Sequence, residues 1–130
     1  MQDFRKLEVW RKAHALALTV HRVSATVEPN GSSGLIGQMR RAAQSIPSNI
    51  AEGCGRETSR DLAKFLQIAI GSATELEGHL QFAVDSFQIP QPDFDSTLRD
   101  LIEVRRMLHG LLKRVREAAD RAAGIGSRTV

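Results

Sequence analysis

The chain has 130 residues, 42% hydrophobic and 5% aromatic, with one cysteine and a formal net charge of +3. That length suits one domain with a real core, and a composition rich in Leu, Ala and Ile but lacking tyrosine favours packed helices over a β-sandwich. The lone Cys54 rules out an internal disulfide, the first residues lack the apolar core of a secretory signal, and no apolar run reaches the roughly 20 residues of a membrane span, so a cytoplasmic protein that stays out of membranes is expected.

Asp3 is a suitable N-cap, and Val9, Ala13, Leu16, Val20, Val23 and Val27 recur at alternating spacings of four and three, which predicts a first helix from about Asp3 to Val27. The stretch EPNGSSG, residues 28–34, is a turn that offers Ser32 or Ser33 as the next cap. A second helix carries Ile36, Met39, Ala43, Ile46 and Ile50, with Pro47 inside its pattern. Pro47 frees the Ala43 carbonyl and bends one continuous helix, with Ser45, Ser48 and Asn49 satisfying nearby backbone groups, or else it sits in the first turn of a new helix capped by Ser45.

The stretch GCGRETSRD follows, in which Gly53 and Gly55 mark a helix end and turn, Thr58 or Ser59 is the next cap, and Asp61 suits the positive end of a helix. Leu62, Leu66, Ala69, Ala73, Leu76, Leu80, Ala83 and Phe87 predict a long third helix, stopped by the two prolines of QIPQPDFD. The fourth helix is expected from about Asp95 or Ser96, with Leu101, Val104, Leu108, Leu111, Val115 and Ala118. The fold class is therefore all-α: an antiparallel up-down-up-down four-helix bundle over residues 1–120, with a flexible C-terminal tail at 121–130.

Away from its stripe the third helix presents Lys64, Gln67, Gly71, Thr74, Gly78, Gln81 and Asp85. A glycine inside a helix costs about 1 kcal/mol relative to alanine, so two on one face reflect either a close-packed backbone or a tolerant surface. The second helix has a similar line of Arg41, Ser45, Ser48 and Glu52, and Trp10, Ala17, Leu18, Phe65, Ile68, Ile70 and Phe82 exceed what one bundle needs. These features predict a homo-oligomer whose subunit interface includes Arg41, Ser45, Ser48, Glu52, Gly71, Thr74 and Gly78.

The stretches FRKLEVWRKAHALAL (residues 4–18), LIGQMRRAAQSIPSNIAEGCGR (35–56) and FLQIAIGSATELEGHL (65–80) resemble, in order, a family of small bacterial four-helix bundle proteins encoded in intervening sequences of large-subunit ribosomal RNA genes. The resemblance covers most of residues 4–115 and implies a left-handed antiparallel bundle that assembles as a ring, typically a pentamer. It extends to the accessory variability determinant of diversity-generating retroelements, a basic pentameric barrel that binds nucleic acid and a reverse transcriptase. By that resemblance Arg11, Lys12, Arg40, Arg41, Arg56, Arg60 and Lys64 would contact the phosphates of RNA or DNA.

Charge is unevenly placed: residues 1–64 carry 10 Lys and Arg against 6 acidic residues, residues 65–98 carry 0 against 5, and residues 99–130 carry 8 against 4. Basic segments suit a polyanion, whereas alternating segments also suit packing between subunits. Arg40 and Arg41 could meet phosphates or pair with Glu52, Glu75 or Glu77, while Arg56, Arg60 and Lys64 near a turn read as available, and the run Arg105, Arg106, Lys113, Arg114 and Arg116 reads as a solvated face. His14 and His21 share a helix face and Glu75 and His79 are four apart, which does not complete a metal set. Cys54 looks exposed between two glycines but has no evident base, and no phosphate loop or Ser-His-Asp order stands out. The expected function is a non-catalytic nucleic-acid-binding or reverse-transcriptase accessory module without cofactor, the alternative being an oligomeric interaction scaffold that binds no nucleic acid.

Overall fold

The computed structural model describes residues 3–26 and 34–124. They form four α-helices and one short 3-10 helix, with no strand among the described residues. Asp3 caps the 3-10 helix Phe4–Lys6 rather than the first long helix, its carboxylate accepting from the Arg5 amide at 3.0 Å. Leu7 then returns to extended backbone before α1, Glu8–Ala25. Val9, Ala13, Leu16 and Val20 are buried at the expected spacing, whereas Val27 and both candidate caps, Ser32 and Ser33, lie outside the described residues.

Helix α2 spans Gly34–Cys54 without interruption, with Pro47 inside, so Pro47 does not start a new helix. Short polar groups serve the backbone around it: the Asn49 side-chain amide donates to the Ser45 carbonyl at 2.8 Å and to the Ser45 hydroxyl at 2.9 Å. The Ser45 and Ser72 hydroxyls are 2.8 Å apart, which places Ser45 between α2 and the next helix rather than on an outer line. That helix, α3, spans Ser59–Asp85 and is capped by Thr58, whose hydroxyl accepts from the Asp61 amide at 3.1 Å. Gly53 does more than end α2: a Cβ there would lie 2.7 Å from Leu62 Cδ1 and 3.0 Å from Phe65 Cβ, so the missing side chain lets α2 close on α3.

Two expectations fail around the α3–α4 turn. Phe87 is not the last core residue of α3; it follows the helix end, has φ 61 and is 94% exposed. Ile89 enters the core instead, at 3% exposure, because the turn redirects the chain. Helix α4 spans Gln91–Ala123, so it begins before Asp95: Pro90 is its N-cap and Pro92 sits in its first turn, where the missing amide is harmless. Farther along, Leu112 rather than Leu111 is fully buried, and α4 passes residue 120 to end at Gly124, φ 72.

Each helix packs on two others, α1 on α2 and α4, and α3 on α2 and α4. Their stripes meet in one aliphatic core in which Leu16, Ile46, Leu66, Leu76, Leu80, Leu101 and Leu108 are each under 2% exposed. A side chain of that kind contributes about 1.5–3 kcal/mol when buried. Two polar side chains join it: Ser24 donates to the His21 carbonyl, and the Thr97 hydroxyl has no partner among the described residues. No helix among the described residues is long and apolar enough to cross a membrane.

Candidate functional site

The structure divides the basic residues expected to meet phosphate. Arg56, Arg60 and Lys64 gather around the α2–α3 turn, all exposed. Arg56 pairs with Glu52 at 3.1 Å and lies 4.7 Å over the Phe65 ring, while Arg60 and Lys64 make no ion pair among the described residues. From α4, Arg116 contacts the Gln67 side chain, three residues after Lys64. That neighbour was not legible in the sequence, because Gln67 and Arg116 are 49 residues apart.

The other members have different work. Arg40 donates to the Ser24 hydroxyl at 2.8 Å and to the His21 carbonyl at 3.3 Å, tying α2 to the end of α1 instead of pairing with a carboxylate. Lys12 pairs with Glu103 of α4 at 2.5 Å; this contact holds the Lys12 amine above its ordinary pKa and the Glu103 carboxyl below its own. Arg11 donates to the Arg5 carbonyl at 2.9 Å, fastening α1 to the 3-10 helix. Arg41 is exposed on the outer side of α2. Glu77 meets Arg105 at 2.6 Å and Glu75 meets His79 at 3.4 Å, so neither carboxylate serves Arg40.

The outer face of α3 is as the spacing implies: Lys64, Gln67, Gly71, Thr74, Gly78, Gln81 and Asp85 are all exposed. An added Cβ at Gly71 or Gly78 would meet nothing within 4 Å. Ile68 and Phe82 flank these glycines at 46% and 63% exposure, which makes a strip of two large apolar side chains around a flat centre.

A groove of about 420 Å³ runs between α1 and α2. Trp10 forms one wall, stacked on His14 at 4.8 Å and met edge-on by Phe4 at 4.8 Å; Pro47 and Ala51 form part of the other. Cys54, by contrast, is buried, and burial pushes its thiol pKa up, which contradicts the exposed position its glycine neighbours suggest and makes it a poor nucleophile. No group of His, Cys, Asp or Glu among the described residues could hold a metal ion.

The comparisons match this architecture. The family model described as 23S rRNA-intervening sequence protein matches residues 5–110. No curated protein matches the chain. Its fold is similar to the crystal structure of a protein of unknown function from the S23 ribosomal protein family of Bacteroides thetaiotaomicron, with a TM-score of 0.75 at 24% identity, covering 81% of this chain and 95% of that one. Since the family match spans all of α1, α2 and α3 and most of α4, the chain belongs to the 23S rRNA-intervening sequence protein family.

Proposed function

We propose that the chain is a cytoplasmic, non-catalytic nucleic-acid-binding subunit of a homo-oligomeric ring, and that its bundle is antiparallel. The observation that carries the reading is the exposed cationic surface of Arg56, Arg60 and Lys64 at the α2–α3 turn and the start of α3, next to which Arg116 of α4 contacts Gln67, one helical turn after Lys64. Each phosphate contact there would add salt-dependent, sequence-independent affinity. The antiparallel order is supported by the contacts Glu77–Arg105 and Gln67–Arg116, whose positions run in opposite directions along α3 and α4. Ring assembly is supported by the exposed α3 strip of Ile68, Gly71, Gly78 and Phe82, with Thr74, and by the outer side of α2 at Arg41, Ser48 and Glu52. A reverse transcriptase is the protein partner the family resemblance suggests.

One observation favours a second reading, a scaffold that binds no nucleic acid: Lys12, Arg56 and Arg105 spend their charge on carboxylates of the same chain. A salt titration of RNA and DNA binding separates the two. The nucleic-acid reading expects affinity that falls steeply with salt and weakens in Arg60→Ala and Lys64→Ala; negligible binding at low ionic strength leaves the scaffold. Light scattering that returns a monomer mass would defeat the ring.

A further inference from the structure

We infer that the groove between α1 and α2 is a stacking site for a base of single-stranded nucleic acid, an inference that rests on the nucleic-acid reading above and gives it a second contact surface. Its volume of about 420 Å³ is large enough for a base, since small-molecule sites run from about 300 to 1,000 Å³. The Trp10 and His14 rings lie nearly parallel, 12° apart, and His14 is exposed, so the stack ends in an accessible ring that can receive another flat one. Every base has a π face, and stacking on aromatic side chains is how single strands are held without sequence preference.

Charge and polarity select the occupant. Among the described residues no carboxylate lines the groove; its polar members there include His14, His21, Gln44 and Ser48, which can bond a base edge and repel no phosphate. The Arg5 guanidinium, paired with Asp3 at 3.2 Å, lies 5.5 Å over the Phe4 ring that lines the groove. The competing occupant is the apolar α3 strip of a second copy. That contact would bury the imidazoles and the Gln44 amide against Ile68 and Phe82, leaving polar atoms unpaired, whereas a nucleotide supplies partners for them.

Trp10 is the single tryptophan, so its emission reports on the groove alone. The full chain is titrated at low ionic strength with a short oligouridylate and with an abasic ribose-phosphate oligomer of equal length, following Trp10 emission and anisotropy of the labelled oligomer. The site requires that oligouridylate quench Trp10 and that the abasic oligomer bind about five-fold or more weakly without quenching. His14→Ala, at an exposed position, is expected to lose about five-fold in oligouridylate affinity, and Leu18→Glu, which puts a carboxylate at the groove, to lose at least as much. Equal affinity for the two oligomers overturns the stacking site. Anisotropy that reports binding while Trp10 emission stays constant also overturns it but leaves the nucleic-acid reading standing; no binding of either oligomer removes both. Emission that changes with protein dilution and not with oligomer gives the groove to a second copy and overturns the inference.

Discussion

At its N-terminal end α3 meets each local requirement with a residue suited to it: Gly53 permits the close approach of α2, Thr58 accepts the Asp61 amide, and the Asp61 carboxylate sits in the positive first turn. At its C-terminal end the hydrogen bonds are equally complete, since the Gln88 amide donates to the Ala83 carbonyl at 2.8 Å and the Phe87 amide to the Val84 carbonyl at 3.1 Å. This is the paired closure that normally places glycine in the left-handed position, yet Phe87 occupies it with φ 61 and its ring 94% exposed. Both ends have their hydrogen bonds made, by a side-chain cap at one and a backbone closure at the other, with residues of opposite suitability. The difference teaches that end chemistry does not decide where α3 stops; the core, which needs Ile89 and not Phe87, does.

If that is so, the core should feel no difference between the ends. Leu66 and Leu80, near opposite ends of α3 and at 0% and 1% exposure, should each cost about 2–5 kcal/mol when changed to alanine, as measured by chemical denaturation. A loss confined to one of the two would break the comparison, because the core would then be anchored at a single end. Gly53→Ala tests the N-terminal end: the new methyl would meet Phe65 Cβ at 3.0 Å, a fixed atom. Overpacking of about 1–3 kcal/mol outweighs a helix gain of about 1 kcal/mol, leaving a net loss of about 1 kcal/mol. Phe87→Gly should do the reverse at the other end. Relief of the left-handed strain, about 1–2 kcal/mol, exceeds the added entropy of the unfolded chain, for a net gain of about 0.5 kcal/mol and a slightly higher Tm. A lower Tm would mean that the exposed ring is already packed against something, such as a second copy.

The same contrast explains what the sequence could reveal. The core of α1, α2 and α3 was legible because aliphatic residues recur at the helical period, and the Thr58 cap because its chemistry is local. Phe87 misled because it stands four residues after Ala83 and so continues the period, although the backbone has left the helix at Asp85. Pro90 and Pro92 mark the beginning of α4 as well as the stop of α3, and composition does not say which. In the candidate site, the exposure of Lys64 and the glycine face followed from spacing within one helix, and that of Arg60 from its place beside a turn. The employment of Arg40 by Ser24, of Ser45 by Ser72, and of Arg116 by Gln67 did not, since each needs to know which helices are neighbours. The α1–α2 groove was invisible for the same reason: Trp10 and His14 share a helix face, but Pro47 and Ala51 complete the walls from another helix.

The smallest effect belongs to the pair that touches neither end of α3, Lys12 of α1 with Glu103 of α4. Both side chains are more than a third exposed, so solvent screens the pair and only its pH signature is distinctive. Glu103 has its pKa lowered, chiefly by the hydrogen bond from Lys12, so its contribution is present above the unfolded carboxylate value near about 4.3 and fades as pH falls through the lower folded value. Lys12 has its pKa raised, chiefly by the hydrogen bond to Glu103, so its contribution is present below about 10.4 and fades as pH rises through the higher folded value. The Tm difference between the parent chain and Glu103→Gln should therefore be small and flat between these limits, shrink toward both, and diminish with added salt. If that difference instead persisted in strong acid, where the carboxylate is protonated, the pair would be acting by packing α1 on α4 rather than by charge. A pH-dependent loss of this kind should also leave the Leu66→Ala and Leu80→Ala costs unchanged, because α1 and α4 can part slightly at Lys12 without disturbing either end of α3.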